Sequence, residues 1–258
     1  MSTLDLLNSL MTSSVRGWRG TSSFSAKATA PEQLLKLYDM EGCPYCRLVR
    51  EVLCELDLDA MIYPCPKGGM RFRPEALDQA GINQFPILVD PNTGVVMLES
   101  ADIANYLYET YGNTRKRVPA RGPVRQFQVA TSMAATATRS VLGARGIYAK
   151  ASSAPEQPLE LYSFESSPYS RPVRELMCEL ELPYHLRNFG KSRWQEMGPP
   201  GVRRRFFPDA PITSPNRQRM FELTGRFQVP YLIDPNTGMD LYESTEILRY
   251  LNETYGGE

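Results

Sequence analysis

Cys43-Pro44-Tyr45-Cys46 places two thiols on either side of two residues. Such a pair suits thiol–disulfide exchange: one thiolate attacks a disulfide sulfur, and the second thiol resolves the mixed disulfide by intramolecular attack. The attacking thiol must ionise, and the start of a helix favours that. With Cys43 at the N-cap and Pro44 at the first helical position, the proline loses no needed N–H. The sulfur then meets free amides and the positive end of the helix dipole, with Arg47 and Arg50 nearby. The chain has five cysteines and a single histidine, His185. A zinc site with several histidines is therefore excluded, and any Cys-His or Ser-His-Asp triad could use only that residue. Lys and Arg total 29 and Asp and Glu total 29, a net charge of zero, which argues against a nucleic-acid or anionic-membrane coat. No window approaches the ~18 consecutive apolar residues of a membrane helix.

The surrounding pattern supplies the elements such a pair needs. Leu34 to Tyr38 reads as a strand running into the motif. From Tyr45 onward, Leu48, Val49, Val52, Leu53 and Leu56 recur at helical spacing with Arg47, Arg50, Glu51 and Glu55 between them, an amphipathic helix. Ala60 to Tyr63 reads as a second strand and Pro74 to Ala80 as a short helix. Ile87–Val89 and Val95–Leu98 form a hairpin through Asp90-Pro91-Asn92-Thr93-Gly94. Ser100 to Tyr111 is a helix with Ile103, Ala104 and Leu107 on one face.

This unit occurs twice. Leu35-Lys36-Leu37-Tyr38 and the motif after it return as Leu159-Glu160-Leu161-Tyr162 and Ser167-Pro168-Tyr169-Ser170, at an offset of 124. Gln84-Phe85-Pro86 through Gly94 returns as Gln228-Val229-Pro230 through Gly238 at an offset of 144, so the second copy carries about 20 extra residues within 190–226. Each copy then has Glu-Ser, a helix and Glu-Thr-Tyr-Gly. The length of 258 suits two domains. We expect a helical lead-in at 1–33, a first domain at 34–112, a linker with a helix at 113–157 and a second domain at 158–258. Residues 1–29 have the Ser- and Thr-rich composition of a transit peptide, but Val15–Gly20 and Ala30–Gln33 are echoed by Val141–Gly146 and Ala154–Gln157, which favours a duplicated structural element. Half of a zinc site is the other reading of the thiol pair, with Cys54 and Cys65 completing it. Cys54 recurs as Cys178 in a copy that lacks the other cysteines, as a buried helix-face residue would.

The motif resembles that of glutaredoxins, and residues 34–112 and 159–256 resemble the thioredoxin-like N-terminal domain of glutathione transferases. The resemblance implies an α/β fold of two tandem thioredoxin-like domains, βαβαββα, each behind a helical lead-in. It implies glutathione as cosubstrate, with Cys43 and Cys46 catalytic and Tyr45, Phe85, Pro86, Glu99 and Ser100 binding it. In that family a cis-proline opens the third strand, and the peptide before it pairs with the cysteinyl backbone of glutathione. The Glu-Ser pair takes the γ-glutamyl end. The residues themselves support this last role: a Ser hydroxyl and free amides at a helix start accept an anion, and the adjacent carboxylate can meet an ammonium.

The second copy has hydroxyls in place of both sulfurs, which excludes disulfide chemistry there. Ser167, Val229, Pro230, Glu243 and Ser244 remain as a second candidate site. Ser167 is either a hydroxyl that favours the glutathione thiolate, as in serine-type transferases, or a helix cap worth roughly 1 kcal/mol. The cap, or a role in binding alone, is preferred, since transferases complete their electrophile pocket with an all-helical domain and this chain closes at Glu258 behind the second unit. The expected activity is glutathione-dependent reduction of mixed disulfides by the first domain. A transferase working through Ser167 and a non-catalytic iron–sulfur carrier are the alternatives; the cluster is not favoured, and no metal site is expected. Expected partners are glutathione and glutathionylated or disulfide substrates, with neither nucleic acid nor membrane. His185 reads as a surface or half-buried residue, and Arg203-Arg204-Arg205-Phe206-Phe207 as a solvated loop in the insertion. Reactive thiols without structural disulfides fit the cytoplasm, with the plastid stroma as alternative if residues 1–29 are a transit peptide.

Overall fold

A computed structural model describes residues 1–26, 30–113, 116–197, 205–207 and 213–257. The first unit consists of β1 (Leu35–Asp39), α2 (Pro44–Glu55), β2 (Ala60–Pro64), α3 (Arg73–Ala80), β3 (Ile87–Asp90), β4 (Val95–Met97) and α4 (Ser100–Tyr111), preceded by α1 (Thr3–Val15). The second repeats it as β5 (Leu159–Ser163), α6 (Ser170–Glu179), β6 (Tyr184–Asn188), α7 (Pro215–Thr224), β7 (Tyr231–Asp234), β8 (Met239–Tyr242) and α8 (Ser244–Tyr255), preceded by α5 (Pro123–Ser140). A 3-10 turn at Trp194–Glu196 begins the longer segment of the second unit. Both units are thioredoxin-like, and the elements lie within a residue or so of where the periodicity predicts them.

Their joining is a finding of the structure. The two four-stranded halves form one eight-stranded sheet in the order β4-β3-β1-β2-β6-β5-β7-β8. At its centre β2 and β6 run antiparallel, Met61 opposite His185. Every edge that β2 and β6 would otherwise expose is thus paired. One apolar core runs through both halves, with Leu35, Leu37, Val49 and Leu53 on one side and Leu159, Leu161, Val173 and Met177 on the other.

The amphipathic pattern of α2 implies a solvated polar face. The structure corrects this: Arg47, Arg50 and Glu51 are as buried as Val49 and Leu53. The polar faces of α2 and α6 meet along a two-fold seam. Arg50 pairs with Asp39, with Glu41 at 3.3 Å and with Glu165 of the other unit at 2.9 Å. Arg174 pairs with Glu41 at 3.0 Å and Glu165 at 3.2 Å. Buried charges persist only when paired and hydrogen-bonded, and here each glutamate serves an arginine from either unit.

The lead-in helices complete the seam, and they do so inside out. α1 buries Asp5, Ser9, Thr12 and Ser13 and exposes Leu4, Leu7 and Met11. α1 and α5 lie against each other, joined by a 2.6 Å bond between the Thr12 and Thr138 hydroxyls. They are also exchanged. From α1, the Ser9 carbonyl accepts from Arg171 of the second unit at 2.7 Å, and Ser13 Oγ donates to the Ser166 carbonyl at 2.8 Å. From α5, Ser132 Oγ donates to the Pro44 carbonyl of the first unit at 2.7 Å. Each helix returns to its own unit only at its end, where Arg16 meets Glu51 at 2.5 Å and Arg139 meets Glu175 at 2.5 Å. The loops after them must pass close to the seam. Gly20 has φ +75°, and a Cβ there would stand 2.6 Å from Glu165 Cβ; Gly146 has φ +68°, with Glu41 Cβ at 3.1 Å. Glycine is required at the first by both sterics and backbone.

Candidate functional site

The β1–α2 turn puts Cys43 at the N-cap of α2, with φ −79° and ψ 126°, and Pro44 in the first helical turn. Cys43 keeps a 7 % exposed surface, whereas Cys46 one turn on is wholly buried. The two thiols titrate apart. Cys43 is pushed down to about 7, chiefly by the Cys46 thiol acting as donor, against burial, and further by the Cys46 and Tyr45 amides and the charge of Arg50. Cys46 is pushed well up by burial and by its neighbour Cys43. Of the two thiols, Cys43 is the one that ionises more readily, and Cys46 stays protonated beside it as donor.

Arg50 therefore acts as the sequence predicts, through charge. Arg47 points elsewhere, donating to Thr136 Oγ1 at 3.3 Å with Glu165 at 3.9 Å. Cys54 is turned away from the motif, its thiol donating to the Gly20 carbonyl at 3.0 Å, and Cys65 packs with Tyr38, Ala76 and Ile87. That removes the four-cysteine zinc reading. Among the described residues no group of three or more His, Cys, Asp or Glu could hold a metal ion.

Phe85-Pro86 is cis, with Pro86 buried just ahead of β3 and Phe85 half-buried under the Arg73 guanidinium at 4.8 Å. Gln84 Nε2 donates to Glu99 Oε1 at 2.7 Å, which ties the proline turn to the Glu-Ser pair. Glu99 has φ 64°, a conformation L-residues avoid, and Glu243 has the same value in the second unit. Such outliers persist where the surroundings enforce them, often at ligand sites. Ser100 opens α4, is buried, and its hydroxyl accepts from Arg125 Nη2 at 2.6 Å. Gln84 and Arg125 were not singled out by the sequence pattern. The signal for Gln84 was present, since Gln228 repeats it and likewise bonds Glu243. Arg125 has no such echo.

In the second unit Val229-Pro230 is also cis. Ser167 is 1 % exposed, and its hydroxyl accepts from Ser170 N at 3.1 Å and Ser170 Oγ at 2.9 Å. The first satisfies a backbone N–H at the start of α6, as a cap does, and the second joins two side chains. Ser244 donates to the Tyr169 carbonyl at 2.8 Å. His185 is half-buried on β6, Nε2 3.4 Å from Asp59, and belongs to neither site. Arg203 and Arg204 lie outside the described residues; Arg205 sits over the Phe206 ring at 6.0 Å and Phe207 meets Trp194 edge-on at 4.8 Å. A cleft of about 410 Å³ lined by Arg145, Tyr148, Lys150, Glu175 and Glu179 touches neither thiol. Among the described residues no helix is long and apolar enough to cross a membrane.

Among solved structures the chain is similar to the glutathione transferase BmGSTD1 of Bombyx mori, at 30% identity over 33% of this chain and 39% of that one, with a TM-score of 0.30. It is also similar to Leishmania TDR1, a trimeric glutathione transferase, at 13% identity over 88% of this chain and 68% of that one, with a TM-score of 0.29. The chain thus spans well under half of the Bombyx transferase. No curated protein matches it. The sequence model of the glutathione S-transferase N-terminal domain matches residues 37–115 and again 161–258, one match on each copy of the repeat and together more than half of the chain. The chain therefore belongs to the glutathione S-transferase N-terminal domain family, and carries that domain twice.

Proposed function

We propose that the first unit is a glutathione-dependent thiol–disulfide oxidoreductase and that the second is redox-inactive. The carrying observation is the Cys43 thiol, slightly exposed at a helix N-terminus and lowered to about 7 beside a protonated Cys46. The Cys43 thiolate attacks the glutathione sulfur of a mixed disulfide, forming a Cys43–glutathione disulfide and releasing the substrate thiolate, which takes up a proton. A second glutathione thiolate then attacks the glutathione sulfur of that disulfide, yielding oxidised glutathione and the Cys43 thiolate. Alternatively Cys46 loses its proton and attacks Cys43, releasing reduced glutathione and leaving a Cys43–Cys46 disulfide for later reduction. Tyr45, the Phe85-Pro86 turn and Glu99-Ser100 orient the glutathione moiety.

The second unit cannot run these steps, because Ser167 and Ser170 form no disulfide. Its Glu165 instead anchors Arg50, the cation that favours the Cys43 thiolate. The reading is tested by glutathione-dependent reduction of a glutathionylated peptide. Wild type turns over and Cys43→Ser does not, while Ser167→Ala retains activity. An inactive wild type, or a fully active Cys43→Ser protein, refutes it.

A further inference from the structure

We propose that Arg125, which belongs to neither copy of the repeated domain, is the counter-ion that selects an α-amino-acid carboxylate at Glu99-Ser100, that of the γ-glutamyl group when glutathione is the ligand. The proposal rests on the glutathione reading of the first unit and names the group that reads one end of it.

Arg125 sits in the first turn of α5, the helix that leads into the second unit but packs on the first. The exchange of lead-in helices is what brings it to Ser100. The residue is 8 % exposed, and its guanidinium donates to Ser100 Oγ at 2.6 Å. Of the other buried arginines of the seam, Arg16, Arg50, Arg139 and Arg174 each hold a carboxylate, and Arg171, which holds none, spends its guanidinium on Ser9, Ser13 and the Glu165 carbonyl. Arg125 forms no ion pair among the described residues. Burial opposes its charge, and the groups that favour it are Tyr45, Glu99 and Asp102, which border the motif and the Glu-Ser pair. A guanidinium largely out of water without a carboxylate is costly, and a bound anion at the helix start relieves that cost. Ser100 contributes its hydroxyl and amide, and α4 its positive end, while Glu99 remains for the ligand ammonium. An α-amino acid head group matches this pairing of charges.

The second unit lacks the arrangement. Ser244 donates its hydroxyl to the Tyr169 carbonyl, and the Met1 ammonium bonds the neighbouring Thr245 Oγ1 at 3.0 Å. Arg125 is therefore a property of one site and not of the fold.

The test is calorimetric binding to the full chain carrying Cys43→Ser, which prevents turnover, with two probes: glutathione, and the analogue whose γ-glutamyl α-carboxylate is a carboxamide. We expect glutathione to bind about tenfold or more tightly than the carboxamide, the scale of one charge-assisted contact. Adding Arg125→Gln, which keeps a donor for Ser100 without the charge, abolishes that preference and leaves the carboxamide affinity nearly unchanged; Arg125→Lys restores part of it. If Arg125→Gln weakens both probes equally, or leaves the preference intact, the proposal is overturned. If Cys43→Ser protein binds neither probe, the glutathione reading itself falls and the proposal with it.

Discussion

The charge state of Cys43 offers the sharpest test, because the other four cysteines are silent. Cys46, Cys54, Cys65 and Cys178 are buried, and burial raises the thiol of each. Alkylation by iodoacetamide near neutral pH should therefore modify one residue, and its rate should follow the Cys43 thiolate. With the ordinary thiol at 9.0 and Cys43 at about 7, the shift is two pH units. At pH 7 that raises the ionised fraction from roughly one in a hundred to about half. The largest cause is the hydrogen bond from the Cys46 thiol, so Cys46→Ala should move the inflection upward. Cys46→Ser, whose hydroxyl can still donate, should move it less. Peptide mapping of the alkylated protein between pH 5 and pH 10 gives both the site and the inflection. An inflection that stays above about 8.5 in the wild type, or one that Cys46→Ala leaves unmoved, would refute the reasoning that joins helix start, neighbouring thiol and arginine.

Three further outcomes follow from the packing. Glu165→Gln removes one carboxylate shared by Arg50 and Arg174 and should destabilise the protein by about 3 kcal/mol, lowering the urea midpoint of a single transition for both units, whereas Glu246→Gln at an exposed pair should change it little. Asp90 and Asp234 each lie under two tyrosine hydroxyls and an asparagine; burial would raise them, yet Tyr106 with Tyr111 and Tyr255 with Tyr250 hold them below 3.8. Their stabilisation is complete above 3.8 and drains as pH falls through the lower folded values, so Asp90→Asn with Asp234→Asn should flatten the fall of Tm below pH 4, read by thermal melts in acid. Glu99→Gly relieves a backbone at φ 64° and should leave Tm unchanged or higher while glutathione affinity, followed by calorimetry, drops.

Both units were legible because their apolar residues keep strict periods: Leu35 and Leu37 alternate in a strand, and Val49, Val52 and Leu53 fall on one face of a helix. Turn chemistry did the same for the β3–β4 hairpin, and repetition marked the proline and Glu-Ser positions. The seam was not legible. Arg47, Arg50 and Glu51 carry the signature of a solvated helix face, and they become interior where the second unit and the lead-in helix close over them, Glu165 taking Arg50 and Arg16 taking Glu51. α1 was legible only as a helical lead-in: the side it buries carries Asp5, Ser9, Thr12 and Ser13, and nothing in its own sequence names the arginines they meet. Arg125 was invisible because helix exchange, and not sequence proximity, delivers it to Ser100.

The retained and the lost residues of the second motif separate two functions that overlap in the first. Ser167-Pro168-Tyr169-Ser170 has given up the sulfurs, and its hydroxyls now bond one another at the start of α6. Arg171, Arg174 and Glu175 behind them remain and are buried. Arg171 is pushed down to about 9, first by burial and then by Arg47, so the seam tolerates a strained cation to keep its hydrogen bonds to α1. Glu165 is held at about 2 because Arg50, Arg174 and Arg47 outweigh its burial. Four buried arginines, Arg47, Arg50, Arg171 and Arg174, thus surround three carboxylates, Asp39, Glu41 and Glu165, and the balance favours an anion beside them. Asp39 narrows that balance. Burial lifts it to about 6 against the pull of Arg50, and its counterpart on β5 is Ser163, which carries no charge. Protonation of Asp39 as pH falls toward 6 leaves the seam more positive, and the positive field at Cys43 then grows as the thiolate itself is being lost. The second unit bears on the charge at Cys43 through Glu165, which anchors Arg50, with no thiol of its own.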